Sequence, residues 1–150
     1  MTLAIRDAVP GDLTTILRLY AEDSMGYWGA EPEEPTDQLV AALAEITADT
    51  HQRLLVGELD GSVVATAQVT YLRVLSGNGA LYCQVESVRT DARLRGRGLG
   101  TQLMEHIESE ARARGVARMQ LTSNLQRTAA HRFYERLGYA GSHLGMKKYL

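Results

Sequence analysis

The stretch RLRGRGLGTQLMEHIESEARARG, residues 93–115, constrains this chain more than any other. Three glycines stand at alternate positions with arginines among them, and an amphipathic segment follows. Leu99, Leu103, Ile107 and Ala111 recur every four residues with Met104 beside them. That spacing predicts a helix from about Gly98 to Arg114 with one buried face, ended by Gly115, where a left-handed residue costs least. A loop entering a helix through glycines exposes backbone N–H groups at the positive end of the helix dipole, an arrangement that suits phosphate. Gly96, Gly98 and Gly100 allow the chain to curl and an anion to approach without meeting a Cβ. Arg93, Arg95 and Arg97 add charge at the rim. The competing reading is a tight turn with a solvated basic face.

The other elements indicate what this helix packs on. LAIRDA alternates as a first strand, and VPGDLTTILRLYAED follows as a helix with Leu13, Ile16, Leu17 and Tyr20 on one face. TDQLVAALAEITAD makes a second helix, capped by Thr36 or Asp37. RLLVGELDGSVVATAQVTYLRVL reads as a hairpin joined at Asp60-Gly61, SGNG as a turn and ALYCQVESV as the next strand. After the glycine loop and its helix, VARMQLTSN is expected to be a strand, RTAAHRFYERLG a helix ended by Gly138, and HLGMKKYL a closing strand. The order β-α-α-β-β-β-α-β-α-β is an α/β (α+β) arrangement: a mixed sheet with helices on its faces. The 150 residues fit a single domain, 1–150.

Composition narrows the partners. A formal net charge of −2 speaks against a nucleic-acid binder, although EDSMGYWGAEPEEPTD is acidic and the glycine loop basic. No run approaches the ~20 apolar residues that span a membrane. MTLAIRDAVPGDL lacks the features of a signal peptide, and the single Cys83 forms no internal disulfide, so a cytoplasmic location is expected. His51, His106, His131 and His143 show no metal-ligand spacing, and no metal is expected. His131, one helical turn before Tyr134, reads mainly as a local cap or pairing partner.

The glycine spacing, G-x-G-x-G, differs from the dinucleotide fingerprint G-x-G-x-x-G, and no Gly-Lys-Ser/Thr follows as in a P-loop. RGRGLG, with Arg95, Gly98 and Gly100, resembles instead the R/Q-x-x-G-x-G/A signature of the GNAT acetyltransferases. The likeness takes in VESV, RTDARL, the helix behind the loop and NLQRTAAHRFYERLGY, and is specific over residues 80–150. VESVRTDARLRGRGLG is particularly similar to the glucosamine-phosphate N-acetyltransferase branch. The resemblance implies the GNAT fold, a mostly antiparallel sheet with a V-shaped splay between two central parallel strands, and acetyl-CoA as acyl donor. It implies pyrophosphate contacts from Gly96, Arg97, Gly98, Leu99, Gly100 and Thr101, mostly through backbone amides, with Arg95 belonging to the motif. It implies backbone pairing of Val88, Arg89 and Thr90 with the pantetheine arm, and a cofactor contact from Asn124. A homodimer is expected on the same ground.

Transfer of acetyl from a thioester to an amine needs a neutral amine, a stabilised oxyanion and a protonated leaving thiolate. Tyr134 resembles the family's general acid; the alternative is an aromatic packed beside Ala130 and Leu137. Glu86, in mid-strand, is the candidate base or proton relay, because a carboxylate there is costly unless it faces a pocket or a partner. The alternative is an edge-facing or salt-bridged glutamate. The oxyanion donor is expected among the backbone N–H groups of 86–88. Tyr27 and Trp28 are candidates for a wall of the acceptor site, and Glu31, with Glu33 and Glu34, for attracting a cationic amine; the alternative is a solvated loop. Cys83 reads as a small buried hydrophobe. The function expected is acetyl-CoA-dependent N-acetylation of a primary amine, from a small molecule or a peptide. The alternative is a CoA-binding regulatory module without turnover.

Overall fold

The structure is a computed structural model that describes residues 1–22 and 30–150. Its frame is a five-stranded sheet in the order β1-β2-β3-β4-β5, formed by Ala4–Asp7, Gln52–Leu59, Ser62–Arg73, Leu81–Thr90 and Arg118–Gln120. The first four strands pair antiparallel, and β5 lies parallel to β4. The β2–β3 hairpin turns at Asp60 and Gly61, both at positive φ (51° and 77°), the geometry of a two-residue turn that follows the natural strand twist.

Helices cover both faces. On one, α1 (Leu13–Ala21) and α2 (Asp37–Ala48) set Leu13, Ile16 and Leu43 against Leu54 and Val56 of β2. Thr36 caps α2, its Oγ1 accepting from the Leu39 N–H at 3.2 Å. On the other face, α4 (Leu99–Ala113) buries Leu99, Leu103, Met104, Ile107 and Ala111 against Ala65, Ala67, Val69, Cys83 and Val85. Burying each of the large aliphatic side chains is worth roughly 1.5–3 kcal/mol before its entropy cost. The SGNG turn forms a single turn, α3 (Ser76–Gly79), with Gly77 and Asn78 left-handed. Helix α5 (Thr128–Arg136) ends at Leu137, and Gly138 follows at φ 92°.

Two expected strands come out differently. VARMQLTSN contributes only Arg118–Gln120, because β4 leaves its neighbour after Gln84 and the ladder ends there. HLGMKKYL forms no strand among the described residues; its side chains are exposed, and Gly145 lies beside Thr122.

Candidate active site

The site starts at an irregularity in β4. Its partners on β3 run Gln68↔Glu86 and then Thr66↔Arg89, so Ser87 and Val88 together oppose Ala67. This is a β-bulge, and Ser87 takes φ 52°, a conformation that side chains other than glycine rarely adopt. The Ser87 side chain lies beside the Tyr20 hydroxyl of α1. On the opposite edge, β5 pairs with β4 only at Tyr82, Cys83 and Gln84. Beyond that point β4 has no β5 partner, and its backbone from Val85 to Thr90 faces the opening between the two parallel strands.

The chain then enters the glycine loop through a clamp. Asp91 is fully buried, and its carboxylate accepts from the Arg93 backbone N–H (2.9 Å), Arg93 Nε (3.0 Å) and Nη2 (2.7 Å), and Arg18 Nη2 (3.3 Å). The Arg93 guanidinium, hydrogen-bonded to it, holds this carboxyl well below the usual carboxylate range. Glu22 at the end of α1 is paired with Arg18 and accepts from the Ala92 N–H at 2.9 Å. Helix α1 therefore fixes where the loop begins.

Within the loop, Gly96 and Gly98 have φ of 76° and 79°, with open space where a Cβ would stand. Gly98 is the N-cap of α4, and no side chain caps the helix. The first intrahelical bond runs from Gln102 N–H to the Gly98 carbonyl (3.0 Å), which leaves the amides of Leu99, Gly100 and Thr101 for an anion. Leu99 anchors the turn in the core, while Arg95 and Arg97 are exposed at its rim. Gly100 also makes room for a neighbour. A Cβ there would lie 3.3 Å from Phe133 Cζ and 3.7 Å from Thr90 Cγ2, so the missing side chain admits Phe133 and lets α5 dock on the loop.

That contact places Tyr134. Its ring is half-buried, with Phe133 at 5.1 Å and Tyr139 at 5.8 Å between centroids, both edge-to-face. Burial raises its pKa, and the charges of Arg127 and Arg89 pull the other way. The phenol thus keeps its proton at neutral pH, as a general acid must. Glu86 is exposed on β4 beside the bulge. Burial pushes the Cys83 thiol up to about 11, in keeping with a packing role. Asn124 is half-buried in the loop between β5 and α5. Its carbonyl lies 2.8 Å from His131 Nε2, and its Oδ1 accepts from the Gln126 N–H at 2.8 Å.

Glu86, Val88, Arg89 and Thr90 thus lie on the part of β4 that β5 does not pair, Thr90 and Phe133 meet at Gly100 of the turn whose amides 99–101 no side chain caps, and Tyr134 lies within reach of the charge of Arg89. Glu31 is close enough for its charge to act on Tyr20, while Tyr27 and Trp28 lie outside the described residues. The sequence reading missed Tyr20, Ser87, Asp91 and the role of Phe133. Only Asp91 carried a local signal, an acidic residue two before Arg93 at the mouth of a basic loop. A groove of about 420 Å³ lies behind this clamp, lined by Asp12, Arg18, Glu58, Asp91 and Arg93 among others, with neither Glu86 nor Tyr134 in its wall. The described residues contain no cluster of three or more His, Cys, Asp or Glu able to hold a metal, and no helix long and apolar enough to cross a membrane.

A mixed sheet parted at a bulged strand, with an uncapped glycine turn opening the next helix, is the arrangement of the GNAT acetyltransferase fold. Residues 13–139 match the profile of the acetyltransferase (GNAT) family, and the chain belongs to that family. A Bacillus halodurans C-125 protein described as a transcriptional regulator superposes with a TM-score of 0.92 at 34% identity, over 99% of both chains. Glucosamine-6-phosphate N-acetyltransferase from Arabidopsis thaliana superposes at 0.75 with 22% identity over 99% of both, a likeness of fold. Aminoalkylphosphonate N-acetyltransferase of Salmonella typhimurium (strain LT2) is 44% identical over 57 residues, which cover 38% of this chain and 37% of the relative.

Proposed function

We propose that the chain transfers acetyl from acetyl-CoA to a primary amine by direct attack. What supports this reading is the combination of three elements: the amides of 99–101 that no side chain caps, the β4 edge at 85–90 that β5 does not pair, and the proton-bearing Tyr134 within reach of the charge of Arg89. In this reading the amides hold the pyrophosphate, and the backbone of Val88–Thr90 pairs with the pantetheine arm. The amine nitrogen attacks the thioester carbonyl while Glu86, directly or through a water, accepts its proton. A backbone N–H of the bulged strand faces the oxyanion. The C–S bond breaks, and the departing sulfur takes the Tyr134 proton. No covalent enzyme intermediate is involved, consistent with the buried, high-pKa Cys83.

The name of the Salmonella relative supports a small-molecule acceptor. The description of the Bacillus protein favours the second reading, a CoA-binding module without turnover. One experiment separates them: acetyl-CoA-dependent thiol release across a panel of amines, with thermal stabilisation by acetyl-CoA recorded in parallel. Stabilisation with thiol release supports the transferase. Stabilisation without release from any amine supports the binding module. No stabilisation at saturating acetyl-CoA removes both.

A further inference from the structure

We propose that the acceptor is a compact zwitterion, an amine that also carries an acidic group, with its ammonium drawn to Glu86 and its anion held by the Arg89 side chain. The inference rests on the transferase reading and adds the acceptor's chemical class.

The argument begins with the face of the sheet. Side chains alternate along a strand, and directly paired residues point the same way. Leu54 and Val56 of β2 face α1 and α2, so their β3 partners Gln68 and Thr66 share that face, as do Glu86 and Arg89 opposite those two. Under the helices this face is apolar. Amide side chains cross the same face from β2 to β5: Gln68 Nε2 reaches Gln52 Oε1 at 3.4 Å, and Gln120 Nε2 donates to Gln84 Oε1 at 2.8 Å. Such a floor solvates a polar ligand and offers nothing to an apolar one.

Glu86 and Arg89 supply the two charges at the end of this floor. Their partners Gln68 and Thr66 are two residues apart, so the two side chains leave the strand about 7 Å apart. An amine and an acid separated by a few bonds span that distance. Tyr20 stands beside the bulge at Ser87, within reach of the charges of Arg89 and Glu31.

The same alternation separates Arg89 from the donor's phosphates. Thr90 faces Gly100 and the turn that opens α4, so the neighbouring Arg89 side chain points to the opposite face. It is half-buried, with Nη1 donating to the Val88 carbonyl at 2.9 Å. A planar guanidinium matches carboxylate, phosphate and phosphonate alike.

The test compares matched amines in the thiol-release assay. β-Alanine, O-phosphoethanolamine and 2-aminoethylphosphonate are the acidic members; β-alaninamide, ethanolamine and 3-aminopropan-1-ol are the neutral ones. We expect at least one acidic amine to exceed its neutral counterpart tenfold or more in kcat/KM, and the acid that does so names the anion. Arg89→Gln should lower that ratio at least tenfold, mainly through KM, with Arg89→Lys recovering part of it and acetyl-CoA stabilisation reporting that the variants fold. Neutral amines turned over as well as acidic ones by the wild type would overturn the inference and leave the transferase intact. So would an unchanged ratio in Arg89→Gln. If that variant does not fold, the wild-type ratio decides. Acetyl-CoA binding with no turnover of any amine counts against the transferase reading itself, and the inference falls with it.

Discussion

Tyr134→Phe isolates the proposed acid because the ring's packing does not depend on its hydroxyl. The edge-to-face contacts with Phe133 and Tyr139 survive the substitution. Stability should therefore change by less than about 1 kcal/mol, or roughly 2–4 °C for a domain of this size. What is lost is a proton delivered to the departing sulfur. General acids contribute about 10²–10⁴-fold. A thiol with an ordinary pKa of about 8.5 is a fair leaving group even unprotonated, so the lower end applies, about 100-fold in kcat or about 2.7 kcal/mol. Burial raises the Tyr134 pKa, so the wild type should show no alkaline loss from this group below the ordinary phenol range near 10. The gap between wild type and variant should therefore persist across the neutral range and narrow only as pH approaches the raised phenol pKa. Steady-state thiol release from pH 6.5 to 9.5 with the best acceptor, and acetyl-CoA affinity by titration, measure all of this. A kcat within threefold of wild type would refute the acid role. A tenfold loss of acetyl-CoA affinity together with a large fall in Tm would make Tyr134 a packing residue.

Three further outcomes test the surroundings. Gly98→Ala meets no steric obstacle but must hold φ near 79°, which costs an L-residue about 1–2 kcal/mol; Tm should fall and KM for acetyl-CoA rise, and if both stay at wild-type values the left-handed cap is dispensable. Asp91→Asn removes the charge at the loop clamp. The folded pKa lies below the unfolded one, so the wild-type advantage is present above about pH 4 and lost as pH falls toward the folded value; thermal melts at pH 7 and pH 3 should show the difference between the two proteins shrinking, and a difference that grows in acid contradicts the clamp. Cys83 should resist an aromatic disulfide reagent at pH 8 in the native protein and react promptly in denaturant, whereas native labelling at the rate of a free thiol would contradict its burial.

Local chemistry was legible in the sequence. The four-residue spacing from Leu99 to Ala111, the Asp-Gly turn and the cap at Thr36 or Asp37 each specify geometry within a few residues, and each formed, with Thr36 as the cap. So did the glycine loop, where positive φ at Gly96 and Gly98 is a property of the backbone alone. What required the tertiary structure was every relation across the chain. The length of β5 depended on whether a neighbour was there to complete the ladder, and β4 had already turned away. Gly100 leaves room for Phe133, thirty-three residues on, whose ring would lie 3.3 Å from a Cβ there. Tyr20 meets Ser87 across sixty-seven residues, and the bulge that turns Glu86 and Arg89 to one face shows only in the β3–β4 register. Periodicity and turn preference act through bonds and reach a few residues; packing and register are settled by which surfaces meet when the chain closes on itself.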